Sequence, residues 1–197
     1  MTNARNLKRE TWWVLRAQSG DREALTELLE AVQEPLYRYV FRLTGERTMA
    51  EDILQEVFIL IYRKLRWLQE PELFRPWAYR IASREAFKRL RRERRWREQV
   101  RDESILEAIP AQPPAEDLAA GIAEQLPVLI ARVSPASRAV LVLHYLHEMP
   151  LTEVAAVLGI ALGTAKSRLA YGLHSLRRAV NEQRGSDVES CRQKAKT

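Results

Sequence analysis

The sequence predicts an all-α protein: two small helical domains joined by a flexible linker. Three observations carry this. Apolar residues recur at helical spacing through both halves of the chain. Glycine and proline are scarce, 7 and 9 in 197 residues, while the abundant Ala, Leu, Arg and Glu are good helix formers. Between the halves lies "DESILEAIPAQPPAED", whose Pro110, Pro113 and Pro114 lack an amide proton and disfavour helix before them. The expected boundaries are 1–101 for the first domain, 102–117 for the linker, 118–184 for the second domain and 185–197 for a polar tail that should fray. With prolines in the linker and no evident apolar seam, the two domains should hold no fixed relative placement.

In the first half, "SGDREALTELLEAV" opens with Asp21 as N-cap, followed by Ala24, Leu25, Leu28, Leu29 and Val32 at helical period. Gly45 closes the next segment. "TMAEDILQEVFILIYRKL" places Thr48 and Glu51 at capping-box spacing. Its Ile53, Val57, Leu60, Ile61 and Leu65 form a broad apolar side, leaving Asp52, Gln55, Glu56, Arg63 and Lys64 outside. Pro71 and Pro76 bracket a loop, and a long helix is expected from Trp77 to beyond Arg95.

That long helix carries the sharpest charge signal, "REAFKRLRRERRWREQVR". At 100° per residue, Arg80, Arg84, Lys88, Arg91 and Arg95 share one face. Ala78, Ile81, Ala82, Ala86 and Leu90 form a loose apolar side. A solvated helix with Glu85, Glu93 and Glu98 as local partners is the plain alternative. The arginines outnumber those acids, however, and a phosphate backbone answers the excess. Trp67, Phe74, Trp77 and Tyr79 precede the basic face, and aromatics beside a basic stripe suit unpaired bases. Core packing is the competing reading for most of these rings.

In the second half, Ser134 and Pro135 mark a helix start. "PLTEVAAVLG" is a short helix with Gly159 past its end. Another helix begins near Gly163, with Ala165, Leu169, Leu173, Leu176 and Val180 in a narrow apolar stripe. Thr164, Ser167, Arg168 and Tyr171 project from its other face, and Lys166 lies on a flank. A short helix, a tight glycine turn and a longer helix polar at its start is the pattern of a helix-turn-helix. Hydroxyls and a guanidinium there reach base edges, and a flanking lysine reaches phosphate.

Composition narrows the function classes. The net charge is +6, which suits an acidic partner but is weak evidence alone. The single cysteine, Cys191, leaves no intrachain disulfide and no Cys-based zinc site. His144 and His147 are three apart beside Glu148, without an evident third metal ligand, and no phosphate loop or nucleophile motif occurs. No metal, no cofactor and no enzymatic activity are therefore expected. The N-terminus lacks an apolar signal region and no run is long enough to span a bilayer, so a cytoplasmic protein without membrane insertion is expected.

Both halves resemble one family, the extracytoplasmic-function (ECF) sigma factors of the sigma-70 family. In the first half the resemblance rests on "GDREALTELL", "LYRYVFRLTG", "AEDILQEVFILIYRKL" and "FRPWAYRIASREAFKRLRR". In the second it rests on the stretch from "SPASRAVLVLHYL" through "GTAKSRLAYGLHSLRR". The resemblance implies a promoter-melting domain followed by a helix-turn-helix domain. It implies core RNA polymerase and promoter DNA as partners, and the family often pairs with an anti-sigma factor. It implies core-polymerase binding by Asp52, Gln55 and Glu56. Binding of −10 DNA would fall to Trp67, Phe74, Trp77, Tyr79, Arg80, Arg84, Lys88, Arg91 and Arg95. Binding of −35 DNA would fall to Gly163, Thr164, Lys166, Ser167, Arg168 and Tyr171. Two departures stand out. The family usually has asparagine and aspartate where this chain has Arg84 and Lys88, and often a capping serine where Ala161 stands.

Overall fold

The computed structural model describes residues 2–103 and 128–194, with side chains described for 8–95 and 128–181. Nearly all of the expected linker therefore lies outside the described residues. Only 102 and 103 fall within them, as the end of a helix.

Four helices make the first half. α1 (Thr2–Gln18) turns at Gly20 into α2 (Arg22–Thr44). Asp21 caps α2 as expected, its carboxylate accepting from the amides of Glu23 at 3.0 Å and Ala24 at 3.1 Å. The same carboxylate accepts from Arg16 Nε at 2.8 Å. Those donors, the Ala24 amide foremost, hold the Asp21 carboxyl below its ordinary value. α2 ends at Gly45, whose φ of 73° is left-handed and favours a residue without a Cβ.

α3 (Arg47–Lys64) departs from expectation at its start. The helix begins one residue before Thr48, so Thr48 lies in its first turn and forms no capping box. Glu51 accepts instead from Arg47 Nε at 2.8 Å. The short turn out of Gly45 leads the backbone into helix before Thr48 is reached. Two 3-10 turns, Leu65–Trp67 and Pro71–Leu73, lead to α4 (Phe74–Glu103). α4 starts three residues ahead of the expected Trp77, because Pro76 sits in its first turn, where a missing amide proton costs nothing.

The second half contains a helical turn over 128–131, then α5 (Pro135–Leu141), which runs on into one π-helical turn, Val142–Leu146. α6 (Leu151–Leu158) and α7 (Leu162–Lys194) follow. Ser134 caps α5, accepting from the Ser137 amide at 3.4 Å. Where the tail was expected to fray, the backbone stays helical through Lys194. The buried line of α7 consists of Ala165, Gly172 and Ala179, with Leu169, Leu173 and Leu176 half-buried beside it. Small residues, rather than the expected leucines, therefore sit deepest where α7 meets α5.

The expected lack of a fixed arrangement between the halves is corrected by a packed seam. α6 lies on α4, and α5 with its π turn lies on α2. Val140, Leu143, Met149, Val154 and Val157 join one continuous core with Tyr39, Leu43 and Tyr79. The physical reason is polar as much as apolar. Arg138 of α5 donates to the carbonyls of Leu43 at 2.9 Å and Arg42 at 3.4 Å, at the C-terminal end of the α2 backbone. A cation there satisfies orphan carbonyls and meets the negative end of the helix dipole.

Candidate nucleic-acid interface

Residues 52, 55, 56, 59, 62 and 63 of α3 share an arc of about 120° at 3.6 residues per turn, and all six are exposed. The arc holds the expected Asp52, Gln55 and Glu56. It also holds Ile59 and Tyr62, 44% and 67% exposed, which sequence reasoning missed. The helical wheel of α3 contained that signal, since Ile59 and Tyr62 lie opposite the buried Val57 and Ile61. The acids are not an isolated negative patch. Asp52 approaches Arg89 of α4 at 3.7 Å, in a hollow shared with Glu56, Glu85, Lys88 and Arg92. The arc thus combines exposed apolar area with charges already partly balanced, a composition suited to a protein partner.

On α4, Arg80, Arg84, Lys88, Arg91 and Arg95 are all exposed on the face away from the buried Ala78, Ala82 and Ala86, as the sequence predicts. Lys88 donates to Glu85 at 2.9 Å. The remaining stripe is an elongated positive surface.

The aromatics divide. Phe74 and Tyr79 are buried, 1% and 3% exposed, and are corrected from base-reading candidates to core residues. Phe74 packs beneath α4 against a half-buried Trp77, with ring centroids 6.1 Å apart. Tyr79 packs edge-on to Tyr39 at 5.4 Å. Trp67 alone among the four is open, 61% exposed, with the Arg66 guanidinium 3.9 Å from its ring.

The loop bearing Trp67 is pinned by α1 at both ends. Gln18 donates to the carbonyls of Leu65 at 2.9 Å and Leu68 at 2.8 Å. Arg75 grips the buried Glu10 through both carboxylate oxygens, its Nε 2.7 Å from Oε2. Such a bidentate pair fixes geometry as well as charge. Sequence reasoning did not single out Gln18, Glu10 or Arg75, because each pairing spans at least 47 residues of chain.

At the helix-turn-helix, Gly159 has φ 65° and carries the chain from α6 to α7. The Ile160 amide bonds back to Ala155 at 3.0 Å, and Ile160 packs into the corner. Gly163, Thr164, Lys166 and Ser167 stand exposed on the first turns of α7, with Arg168 half-buried beside them. Ser167 donates to the Gly163 carbonyl at 3.0 Å. Tyr171 is exposed but sits apart, lining a shallow hollow with Arg132, Ser134 and Arg178.

Two of the three histidines hold the fold together. His144 Nδ1 lies 2.8 Å from the Met149 carbonyl, and His147 Nδ1 lies 2.7 Å from the Tyr79 hydroxyl. Among the described residues no group of His, Cys, Asp and Glu is placed to hold a metal ion, and no helix is long and apolar enough to cross a membrane.

Burial first, then the positive charges of Arg42, Arg38 and Arg75, push His147 down to about 4. An opened or unfolded chain restores its ordinary value near 6.5. Between about pH 6.5 and 4 the opened chain therefore takes up a proton that the packed one refuses. The contribution of His147 to the seam's stability is fully present above about 6.5 and is lost as pH falls through that window. The thermal midpoint should fall on acidification, and His147→Gln should flatten the dependence. Equal slopes in the two proteins would place the titrating group elsewhere.

Comparison with known proteins accounts for this layout. Residues 28–96 match the family model for Sigma-70 region 2, and residues 129–178 match that for Sigma-70, region 4. The ECF RNA polymerase sigma factor SigL of Mycobacterium tuberculosis is 33% identical over 178 residues, covering 83% of this chain and 95% of the relative. SigW of Bacillus subtilis, also an ECF RNA polymerase sigma factor, is 25% identical over 178 residues, covering 86% of this chain and 95% of the relative. The fold is similar to that of CnrH solved with the cytosolic domain of CnrY: TM-score 0.66, 19% identity, covering 88% of this chain and 98% of the other. It is also similar to the sigma factor RpoE solved with the anti-sigma factor NepR from Bartonella quintana: TM-score 0.63, 21% identity, covering 79% and 96%. Two sigma domains in order, with a relative of this identity covered almost end to end, place the chain among the ECF RNA polymerase sigma factors, non-enzymatic proteins that bind RNA polymerase and promoter DNA to direct promoter-specific initiation.

Proposed function

We propose that this sigma factor recognises promoters at both the −10 and −35 elements and melts the −10 element in the cytoplasm. The observation that carries the reading is the pairing of two exposed surfaces on adjacent helices: the α3 arc and the α4 arginine stripe. Core polymerase docks on Asp52, Gln55, Glu56, Ile59 and Tyr62. DNA of the −10 region then runs along Arg80, Arg84, Lys88, Arg91 and Arg95. Trp67 is the ring free to stack on an unpaired base, on a loop held by Gln18 and Arg75. Residues 1–101 carry these tasks, and residues 118–184 carry −35 recognition through α7. Arg84 and Lys88 strengthen phosphate binding where an uncharged or acidic residue would favour base reading. Run-off transcription with core polymerase tests the reading. Promoter-specific transcripts that depend on this chain are the expected result, and their absence with active core polymerase overturns it.

The start of α7 is the −35 reader in this scheme. Arg168→Ala should weaken −35 binding by ~1–3 kcal/mol and alter base preference. Lys166→Ala should weaken binding to all sequences alike and flatten its salt dependence. Binding by both variants equal to wild type at moderate salt would make this corner purely structural. An anti-sigma factor is a further expected partner; RpoE of Bartonella quintana was solved with one. Co-purification from the native host tests for it.

A further inference from the structure

The face of α7 that begins with the −35 reader continues past it. Thr164, Ser167 and Arg168 share their side of the helix with Tyr171, Ser175 and Arg178, about one to three turns further on. The close packing at Gly172 brings the start of α5 against this stretch: a Cβ at position 172 would stand 3.4 Å from Ser137 Cβ. Arg132 and Ser134, just ahead of α5, then line a shallow hollow with Tyr171, Ser175, Arg178 and Ala179 of α7. Its volume is about 270 Å³. That falls below the roughly 300–1,000 Å³ usual for small-molecule sites, and suits a single group held at a surface.

The chemistry of the hollow is one-sided. Two guanidinium and three hydroxyl side chains surround it, and among the described residues no carboxylate lines it. The other charged hollows mix signs. Glu72, Glu148 and Glu153 share one with Arg38, Arg42 and Arg75, and Asp52 and Glu56 share another with Lys88 and Arg89. Ser134 accepts from the Ser137 amide at 3.4 Å, which leaves its own hydroxyl proton to donate. Arg132, Ser134 and Arg178 are exposed and Ser175 is half-buried, so the hollow is open to an anion. Guanidinium forks match the oxygens of a phosphate.

The hollow also stands at the right depth for DNA. At 1.5 Å per residue, Tyr171 and Ser175 lie about 6 and 12 Å beyond Ser167 along the axis of α7. The major groove is about 8.5 Å deep. With Ser167 at the base edges, this part of the helix lies level with the phosphates of the groove's rim.

Resting on the promoter reading above, we propose that Arg132, Ser134, Ser175 and Arg178 form a socket for one backbone phosphate beside the −35 element, which sets the depth and register at which α7 enters the groove. The socket carries no base information of its own. Tyr171 belongs to its wall rather than to the base-reading surface.

Arg132→Gln with Arg178→Gln removes both cations and keeps most of the side-chain bulk at two exposed positions. Arg178→Gln alone serves if the double variant does not fold. The full-length proteins are bound to a −35 duplex and to a scrambled duplex over a range of salt. They are then bound to −35 duplexes in which one phosphate at a time is replaced by an uncharged methylphosphonate. The double variant should bind both duplexes about tenfold more weakly at low salt, with the ratio between them unchanged. Its slope of log affinity against log salt should be shallower by about one. One methylphosphonate beside the −35 element should cost the wild type a similar factor and the variant almost nothing. Equal affinity of wild type and variant, a changed ratio, or a variant weakened by every methylphosphonate that weakens the wild type overturns the socket. A wild type that binds neither duplex at low salt overturns it too, and run-off transcription then judges the promoter reading separately. A wild type that binds both duplexes equally overturns −35 recognition instead, and the salt slope on the scrambled duplex still decides whether the socket holds phosphate.

Discussion

Reversing charge on α3, with Asp52→Lys and Glu56→Lys together, should reduce affinity for core RNA polymerase at least about a hundredfold, ~2.7 kcal/mol. Like charges meeting across an interface cost several kcal/mol, and two such meetings are introduced. The fold should tolerate the change. Both side chains are exposed, and Asp52 lies beyond the first turn of α3, where the dipole contribution has largely faded. The nearest cost is internal. Asp52 approaches Arg89 at 3.7 Å, and two lysines would stand beside Lys88, Arg89 and Arg92. Exposed pairs of this kind are worth only ~0.2–1 kcal/mol each.

Arg89→Ala separates the two effects. It breaks the ion pair without changing the charge of the α3 arc, so polymerase capture should persist. Pull-down of core polymerase with both variants is the measurement. Full capture by the charge-reversed protein would remove Asp52 and Glu56 from the contact. Loss of capture in Arg89→Ala would show that the pair acts by shaping α3. Tyr62→Ala should weaken capture independently, since its ring is the most exposed apolar group of the arc.

The parts of this layout that were legible in the sequence are local ones. Asp21 and Ser134 as caps, and Gly45 and Gly159 as helix ends, each act within four residues of themselves, so the pattern and the physics coincide. The arginine stripe was legible because a helix turns by a fixed angle per residue. Phe74 was misjudged for a weaker reason: with Ala78 and Ile81 it follows the three-and-four spacing of a core face. The basic residues that follow drew it toward DNA instead.

The seam was not legible, because its partners have no side-chain signature. Arg138 reads as an exposed cation within "SPASRAVL", and the carbonyls it binds across the seam lie 95 and 96 residues away. His147 reads as half of a histidine pair, and its environment is made by Tyr39 and Tyr79, two rings from the other half. Neither kind of partnership leaves a periodicity. The Gln18 and Glu10 anchors of the Trp67 loop were hidden in the same way.

Gly172 was hidden by its own helix. An interior glycine weakens an isolated helix by about 1 kcal/mol relative to alanine, and its reason emerges only against α5. A Cβ at position 172 would stand 2.8 Å from Leu141 Cδ1 and 3.1 Å from its Cγ, with Ser137 Cβ at 3.4 Å. Leu141 is itself buried, so its side chain has little room to retreat. Two effects then compete in Gly172→Ala. Crowding costs about 1–3 kcal/mol, and the gain in helix propensity returns about 1, leaving a loss of about 0–2 kcal/mol. Gly172→Leu keeps most of the propensity gain but drives three more carbons into the same gap, which α5 and α7 can accept only by separating. Its loss should exceed about 3 kcal/mol, the upper end of ordinary overpacking. Because α7 begins with the −35 reader, that separation should abolish −35 binding. Capture of core polymerase through α3, on the other half of the molecule, should survive. Thermal melts of the two variants, with −35 duplex binding and polymerase pull-down, read all three quantities. A leucine variant that melts with wild type and still binds the duplex would mean that α5 and α7 are not held together at Gly172.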